Sequence, residues 1–532
     1  MKRLSRILAV LCVVAALSCE RSAPAASKRS TLVRYLSGDP ASLDPTTSTE
    51  EWGLLVDEMI FRPLIGIDAN RNPVPALATS WTVSPDGLTY EFRLDTKYTW
   101  ESGAPVTSDD VRFTIERVHD PKIAAPTWRA YYEDLASVET PDPTTVRVRF
   151  TKPYAERMYA FNLPILSADA FAKAKDPSEM VRKPVGSGPY RLESWETNEK
   201  LKLVRREGKA NEDAHYDEIV FRVIPVSATK YQAGLRGELD EFKLTRDQRK
   251  AAQATADFTA HFRILKVPQF VEAILLWNPR GAFLADPRVR IALAHAWARE
   301  DMAKRLYPPE GAALATGPYP AGQPENDPGL VPPRFDPAES VRLLEEAGWK
   351  PGPGGIRRKG GKKASIEMIY PEGSPIYPTI GTILAGAYEK VGVELVLRPL
   401  EWGAFAERAT KGEFDVQFEG LTFFPPNLDP YLYFHSSQWP PNGQNAGFYK
   451  NAEADRVMEA ARNELDPAKR LELRRQVARI LVADPPADFL FSADQYWAVA
   501  KSVENVEVSP YYGLFHFLPG PLGWRPAPAD KR

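Results

Sequence analysis

Residues 77–118 read LATSWTVSPDGLTYEFRLDTKYTWESGAPVTSDDVRFTIERV and specify more local structure than any other stretch of the chain. Apolar and polar residues alternate on both sides of residues 84–87 (SPDG), which form a turn sequence, so the pattern predicts a β-hairpin. Thr107 stands three residues before Asp110, as in a capping box, and apolar residues then recur at helical spacing. The stretch therefore predicts two paired strands followed by a capped helix.

The ordered set LATSW, SPDGLTYEFRL and GAPVTSDDV resembles a signature of the large solute-binding receptors of peptide-type ABC importers, called extracellular solute-binding family 5. Residues 185–190 (VGSGPY) and 279–301 (PRGAFLADPRVRIALAHAWARED) resemble two further blocks of that family. The resemblance implies an α/β, two-lobed periplasmic-binding-protein fold of the large three-domain type. Such a fold has mixed and parallel sheets and a hinge between its lobes.

Length and charge agree with a large globular binding protein. The chain has 532 residues, which is too long for one hydrophobic core. It carries 68 basic and 70 acidic residues, so its charge gives no reason to expect a nucleic-acid partner.

The N-terminus predicts export and lipid attachment. Residues 1–18 (MKRLSRILAVLCVVAALS) combine basic residues with an apolar run too short to span a bilayer, which is typical of a signal peptide. Residues 16–19 (ALSC) resemble a lipobox, which implies acylation of Cys19; ordinary cleavage is the alternative. Residues 19–30 then form a small, polar tether. We therefore expect a periplasmic protein of the cell envelope, anchored in a membrane by an N-terminal lipid.

The remaining chain divides into two lobes. The predicted first lobe is discontinuous and comprises residues 31–62, 184–271 and 486–532. The hairpin lies in a region inserted into this lobe, residues 63–183, and the second lobe is predicted for residues 272–485. The chain would cross between the lobes near residues 266–270 and 484–488, and these two crossings are the predicted hinge.

Strand and helix patterns alternate regularly from residue 366 to residue 418, which predicts parallel strands joined by right-handed crossovers. Ligands on such sheets bind beyond the carboxyl ends of the strands. The loops at residues 371–374, 399–402 and 420–426 should therefore converge on one crevice.

The contents of these loops suggest an apolar, aromatic pocket with few polar groups, the usual form of a small-molecule site. The resemblance also places the loop at residues 37–45 (SGDPASLDP) in the cleft, although a surface turn is the alternative there. The candidate ligand-binding residues are Ser42, Ser374, Trp402, Leu421, Thr422, Phe423 and Phe424.

Two charged anchors of the family are missing. Relatives that grip a peptide's amino group use an Asp on the third loop, where this chain has Phe423 and Phe424. Dipeptide receptors hold the ligand carboxylate with an Arg in the first loop, and residues 370–378 (YPEGSPIYP) contain none. A dipeptide would leave its charges unpartnered at several kcal/mol each. We therefore expect a longer peptide bound through its main chain, or a neutral or apolar solute.

The sequence gives little support for an enzymatic function. The six histidines are scattered, and the chain contains neither an H-E-x-x-H nor a G-x-S-x-G motif. We predict no catalytic residue, no metal site and no cofactor, and interpret His435 as a surface or cleft-rim histidine rather than a ligand contact.

The expected function is that of a monomeric substrate-binding lipoprotein of an ABC importer. It would capture an oligopeptide or other small solute by hinge closure and deliver it to a permease in the inner membrane. An envelope hydrolase and a sensory receptor of the same fold without a transport role are the alternatives.

Overall fold

A computed structural model describes residues 30–528, apart from residues 49, 209–210, 212, 269–270, 307–311, 321–322, 374–375, 423–428 and 442. The predicted signal peptide and Cys19 lie outside the described residues. Within the described ranges, no helix has both the length and the apolar character that crossing a membrane requires.

The strands follow one another along the chain as β1 (Thr31–Leu36), β2 (Ile65–Ile67), β3 (Pro73–Pro75), β4 (Ala78–Val83), β5 (Thr89–Leu94), β6 (Leu135–Asp142), β7 (Thr145–Phe150), β8 (Tyr190–Glu196), β9 (Lys200–Arg205), β10 (Glu218–Val223), β11 (Glu241–Leu244), β12 (Phe262–Val267), β13 (Val271–Trp277), β14 (Ala313–Leu314), β15 (Arg358–Lys359), β16 (Lys362–Lys363), β17 (Ser365–Pro371), β18 (Glu394–Leu400), β19 (Val416–Thr422), β20 (Ala487–Ser492), β21 (Gln495–Ala500), β22 (Val503–Glu504) and β23 (Arg525–Pro526).

The helices are α1 (Glu51–Ile60), α2 (Ser108–His119), α3 (Pro126–Tyr131), α4 (Ala168–Lys173), α5 (Ser227–Leu235), α6 (Arg246–Gln253), α7 (Ala256–His261), α8 (Pro287–His295), α9 (Arg299–Leu306), α10 (Pro337–Glu346), α11 (Ile376–Lys390), α12 (Trp402–Lys411), α13 (Tyr431–Phe434), α14 (Ala452–Asn463) and α15 (Pro467–Ala483).

The first lobe contains two sheets around one apolar core. One sheet has the order β1-β10-β9-β8, with β1 parallel to β10, and the other has the order β11-β21-β12. Buried side chains from residues 32–61, from 190–267 and from 497–524 share this core. The C-terminal segment therefore packs with the beginning of the chain.

The inserted region confirms the local structure predicted from its sequence. Strands β4 and β5 pair antiparallel around a turn in which Gly87 has φ 69°, a conformation that favours glycine. Thr107 and Asp110 form the capping box at the start of α2. Strands β4, β5, β7 and β6 form one sheet, and this region has a separate apolar core built from residues 64–165.

The second lobe is built on a six-stranded sheet with the order β14-β20-β13-β19-β17-β18. Strand β17 runs parallel to β18 and to β19, which confirms the predicted parallel unit. Strand β13 runs antiparallel to β19 and β20, so the sheet is mixed.

The second crossing between the lobes lies later than predicted. Strand β20 was expected to follow the crossing, but its buried residues pair with β13 in the second-lobe sheet. The chain then enters β21, which pairs with β12 in the first lobe. The crossing at residues 484–488 is therefore wrong. The two connections are residues 268–270 and 493–494, and the second lobe extends to about Ser492.

Candidate ligand-binding site

The three predicted loops begin at one edge of the second-lobe sheet. Strands β17, β18 and β19 end there at Pro371, Leu400 and Thr422, and β13 begins there at Val271, opposite Thr422. Because parallel strands point their carboxyl ends to the same side, the loops leave the sheet together. Of the residues predicted on them, Ser374, Phe423 and Phe424 lie outside the described residues.

Trp402, Leu421 and Thr422 lie at this edge of the sheet. Trp402 is the first residue of α12, 67% exposed, with its ring centroid 5.8 Å from that of Phe405. Glu401 caps the same helix, since its carboxylate accepts a hydrogen bond from the Gly403 N–H at 2.7 Å. Leu421 and Thr422 are the last two residues of β19. The edge is therefore open at Trp402.

Ser42 holds together the loop that follows β1. Its hydroxyl oxygen accepts a hydrogen bond from the Asp44 N–H at 3.0 Å, and its carbonyl accepts one from the Ser48 hydroxyl at 3.1 Å. The structure thus gives Ser42 a local structural contact, and places Pro45 and Ser48 of the same loop on the wall of a cavity.

This cavity lies between the lobes and has a volume of about 180 Å³. A single water needs roughly 10–15 Å³ by the same measure, so the space suits a small molecule. Its walls come from every part of the fold: α1 and the loop before it, the inserted region, α13 of the second lobe, and the C-terminal segment 516–522. We call it the interlobe cavity.

Apolar and aromatic side chains form most of its surface. The inserted region contributes Trp128, whose indole N–H donates to the Pro45 carbonyl at 3.1 Å and so fixes the ring. Leu432 and Tyr433 of α13 form the second-lobe wall, directly after the third predicted loop. The C-terminal segment adds Phe517.

Three of the charged or ionisable residues that line the cavity, Glu58, Arg62 and His516, have partners of opposite charge. The Arg62 guanidinium forms two hydrogen bonds to the Asp213 carboxylate, at 2.9 and 3.1 Å. His516 Nδ1 hydrogen-bonds to the Glu58 carboxylate. Burial lowers the pKa of His516, but Glu58 outweighs burial, so the pKa is raised overall.

Asp57 differs from these residues. It lies on α1, lines the cavity and is 2% exposed. Burial raises its pKa well above the usual range, the Asp44, Glu50 and Glu58 carboxylates add to this, and the Ser48 hydroxyl offsets only part of it. An ionised carboxylate is unfavourable in this position, so the shift favours the protonated form.

A second interlobe contact consists of paired charges. Arg474 of α15 lies 2.6 Å from Glu156 of the inserted region and 3.1 Å from Glu325. Arg462 of α14 lies 3.1 Å from Asp429, whose carboxylate also accepts a hydrogen bond from Tyr154 at 3.1 Å. We call these residues the interlobe ion-pair cluster.

His435 is buried, which the sequence did not indicate. Its ring stacks on Tyr431 with centroids 4.1 Å apart, and its Nδ1 lies 2.7 Å from the Ser437 hydroxyl. Burial lowers its pKa. No group of three or more His, Cys, Asp or Glu side chains within the described part of the chain is arranged to hold a metal ion.

Sequence reasoning missed the cavity because its walls come from four distant segments. One signal was available for Asp57. It stands at helical spacing from Gly53 and Ile60, both buried, so an ionisable residue occupies the apolar face of α1. No comparable pattern marks His516.

Comparison with known proteins identifies the family. The sequence profile described as bacterial extracellular solute-binding proteins, family 5 Middle, matches residues 72–443. The chain belongs to this family. It is therefore an extracellular solute-binding protein of the ABC-transporter type and not an enzyme, which confirms the predicted family, and the comparisons give the hydrolase alternative no support.

Individual relatives agree along almost the whole length of this binding protein. It is 26% identical to the oligopeptide-binding protein AppA of Bacillus subtilis (strain 168) over 94% of this chain and 93% of that protein. The structure of AppA in complex with a nonapeptide superposes with a TM-score of 0.82 at 24% identity, covering 94% of this chain and 100% of that one.

NikZ of Campylobacter jejuni, in complex with Ni(L-His), superposes with a TM-score of 0.84 at 23% identity, over 94% of this chain and 100% of the other. These superpositions confirm the predicted two-lobed α/β fold.

Proposed function

We propose that this binding protein captures an oligopeptide or other small solute in the interlobe cavity and delivers it to an ABC permease in the inner membrane. The observation that carries the proposal is the composition of the cavity wall. The first lobe, the inserted region and the second lobe all contribute, so a solute there contacts both lobes at once. Such a solute favours the closed arrangement only through its greater affinity for that state.

The connections at residues 268–270 and 493–494 are the proposed hinge. They are adjacent because β12 and β21 pair directly, with Val267 opposite Gln495. Lys266 and Asp494 form an ion pair of 2.7 Å across them. Two short connections allow rotation of one lobe against the other while each core stays intact.

The proposed site extends from the cavity toward the sheet edge. Helix α13, which lines the cavity, begins at Tyr431, a few residues after the third predicted loop, so we place the outer part of a longer solute on this side. Trp402, Leu421 and Thr422, together with Ser374, Phe423 and Phe424 outside the described residues, are proposed contacts for this outer part. The names of two relatives, an oligopeptide-binding protein with a nonapeptide and a protein holding Ni(L-His), support a small or extended solute.

The proposal includes attachment to the envelope. Acylation of Cys19 and the tether at residues 19–30 would hold a monomer close to its permease. Intact-mass measurement of the membrane fraction tests this part. A diacylglyceryl-modified N-terminus at Cys19 supports it, and a soluble product cleaved at another residue contradicts it.

Native mass spectrometry of freshly purified protein tests solute capture. We expect a co-purified solute in the wild type and its loss in Leu432→Trp, which places a large ring in the cavity from the second lobe. Leu235→Trp is the matched control, because Leu235 is 40% exposed and does not line the cavity. Retention of the solute in Leu432→Trp would contradict the proposed site.

A further inference from the structure

Four acidic or basic side chains line the interlobe cavity, and three of them are held in ion pairs. Glu58 and His516 pair with each other, and Arg62 pairs with Asp213 at 2.9 Å. Each pair balances its own charge, and breaking a buried pair to bind a solute is costly. These three side chains therefore hold no charge in reserve for a solute.

Asp57 is the fourth of these side chains, and it is withdrawn from the cavity. Both of its carboxyl oxygens are closed to a water-sized probe. Burial raises its pKa well above the usual range, which favours the protonated and uncharged form. Asp57 therefore adds neither a charge nor an accessible oxygen to the wall.

The uncharged polar side chains of the first-lobe side donate into the protein. The Ser48 hydroxyl and the Trp128 indole N–H each donate to a backbone carbonyl at 3.1 Å. The Asn162 side-chain amide donates to another backbone carbonyl at 3.0 Å. On the second-lobe side, the polar wall residues Tyr433 and Gln444 are uncharged.

Hydrocarbon and aromatic side chains form the remaining wall. Leu54 and Met59 come from α1, Leu432 comes from α13, and Phe517 and Leu522 come from the C-terminal segment. Apolar surface gains free energy when it leaves water for such a wall. An ion that enters the same space loses its hydration without gaining a counterion.

We propose that the interlobe cavity selects an uncharged, apolar group and rejects charged ones. The group is either a small neutral hydrophobic molecule or the apolar side chain of a longer solute whose charged groups stay outside the cavity. Its size is limited by the volume of about 180 Å³. This inference rests on the proposed function and names the class of solute that the site takes.

Hexan-1-ol, hexylamine and hexanoate test this selection, because they share an apolar stem and differ in the charge at its end. Calorimetry at neutral pH measures their dissociation constants on the full chain freed of co-purified solute. We expect hexan-1-ol to bind about tenfold or more tightly than either ion, because only the ions lose hydration without compensation. Binding of either ion as tightly as the alcohol would overturn the inference.

Leu432→Glu and Leu432→Gln form a matched pair that places the binding in the cavity. Leu432 is half-buried in the second-lobe wall, and the two new side chains have similar size but differ in charge. Relative to Leu432→Gln, Leu432→Glu should shift the preference toward hexylammonium about tenfold, because a carboxylate then faces the cation. An equal preference in the two variants would place the probes elsewhere and overturn the inference. If neither variant folds, the wild-type comparison alone still decides.

Native mass spectrometry separates the two sources of the apolar group and separates this inference from the proposed function. The mass of the co-purified solute distinguishes a small neutral compound from a peptide with an apolar side chain. If that solute is lost in Leu432→Trp but has no apolar group, solute capture stands and the class named here fails. If Leu432→Trp retains its solute, the proposed function fails whatever the order of the three probes.

Discussion

Two sets of buried acidic side chains lie between the lobes, and they differ in whether each carboxylate has a cationic partner. In the interlobe ion-pair cluster, Glu156 and Asp429 contact Arg474 and Arg462 respectively. In the interlobe cavity, Asp57 is as deeply buried as Glu156 but has no such partner within the described residues. The two sets are otherwise similar in depth.

The difference separates paired buried charges from a buried carboxyl group that has no cationic partner among the described residues. A paired buried charge fixes geometry, and removing one partner is strongly destabilising. An unpaired buried charge lowers stability for as long as its partner is absent. Substitutions in the two sets should therefore have opposite effects on the ligand-free protein.

The largest effect is expected in the ion-pair cluster. Asp429→Asn leaves the Arg462 guanidinium without its carboxylate, and breaking such a pair costs about 3–5 kcal/mol. Denaturant unfolding measures the loss. Asp169→Asn is the control, because its ion pair with Lys173 is exposed and should contribute less than about 1 kcal/mol. Equal losses of stability in Asp429→Asn and Asp169→Asn would contradict the distinction between the interlobe ion pair and an exposed ion pair.

Asp57→Asn should stabilise the ligand-free protein by about 1–2 kcal/mol at neutral pH, because a buried charge is removed. The folded-state pKa of Asp57 is raised, so the folded protein binds this proton more tightly than the unfolded chain. The wild type therefore loses stability relative to the variant as the pH rises above about 3.9, the pKa of an aspartate in the unfolded chain. The loss is complete above the folded-state pKa.

Melting temperatures of the wild type and Asp57→Asn at pH 7 and near pH 4 test the predicted direction of this pH dependence. The advantage of the variant should shrink at the lower pH, where Asp57 is protonated in the folded protein and about half protonated in the unfolded chain. The Asp44, Glu50 and Glu58 carboxylates raise the same pKa, so the transition should lie above that of an exposed aspartate. A variant less stable than the wild type at pH 7 would contradict the account.

Glu156→Gln should weaken the contact between the lobes by about 1 kcal/mol, less than a fully broken pair, because Arg474 keeps Glu325. The expected result is a larger radius of gyration without ligand. Glu472→Gln on α15, the helix that carries Arg474, is the control, since Glu472 is exposed and pairs with Arg479. An unchanged radius in Glu156→Gln would exclude a role of the cluster in closure.

The smallest effect is expected at the sheet edge. Trp402→Ala should lower ligand affinity about two- to fivefold, since the ring is mostly exposed and contacts only an outer part of the solute. Titration of the co-purified solute into the solute-free protein measures it. A loss as large as that of Leu432→Trp would move the centre of the site from the cavity to the edge.

Local structure could be predicted wherever the residue pattern that determines it lies within one continuous segment. The hairpin, the capping box at Thr107 and the β17-to-β19 alternation each depend on spacing within a few dozen residues. Strand β20 shows the limit. Pro485 and Pro486 end α15 and suggested a boundary, but strand pairing, which is not local, places the next residues in the second lobe.

The binding site was harder to predict from the sequence, because it depends on contacts between distant segments. Loops on one sheet edge follow from strand order, so their convergence could be predicted. The cavity requires α1, α13 and the C-terminal segment to meet, which only tertiary packing determines. The buried position of Asp57 was visible as a charge on an apolar helix face, but its missing partner was not.

A crystal structure of the protein with its co-purified solute tests the central claim most directly. We predict solute density in the interlobe cavity, in contact with side chains of both lobes. Density for a solute held only at the edge beside Trp402, with water alone in the cavity, would contradict it.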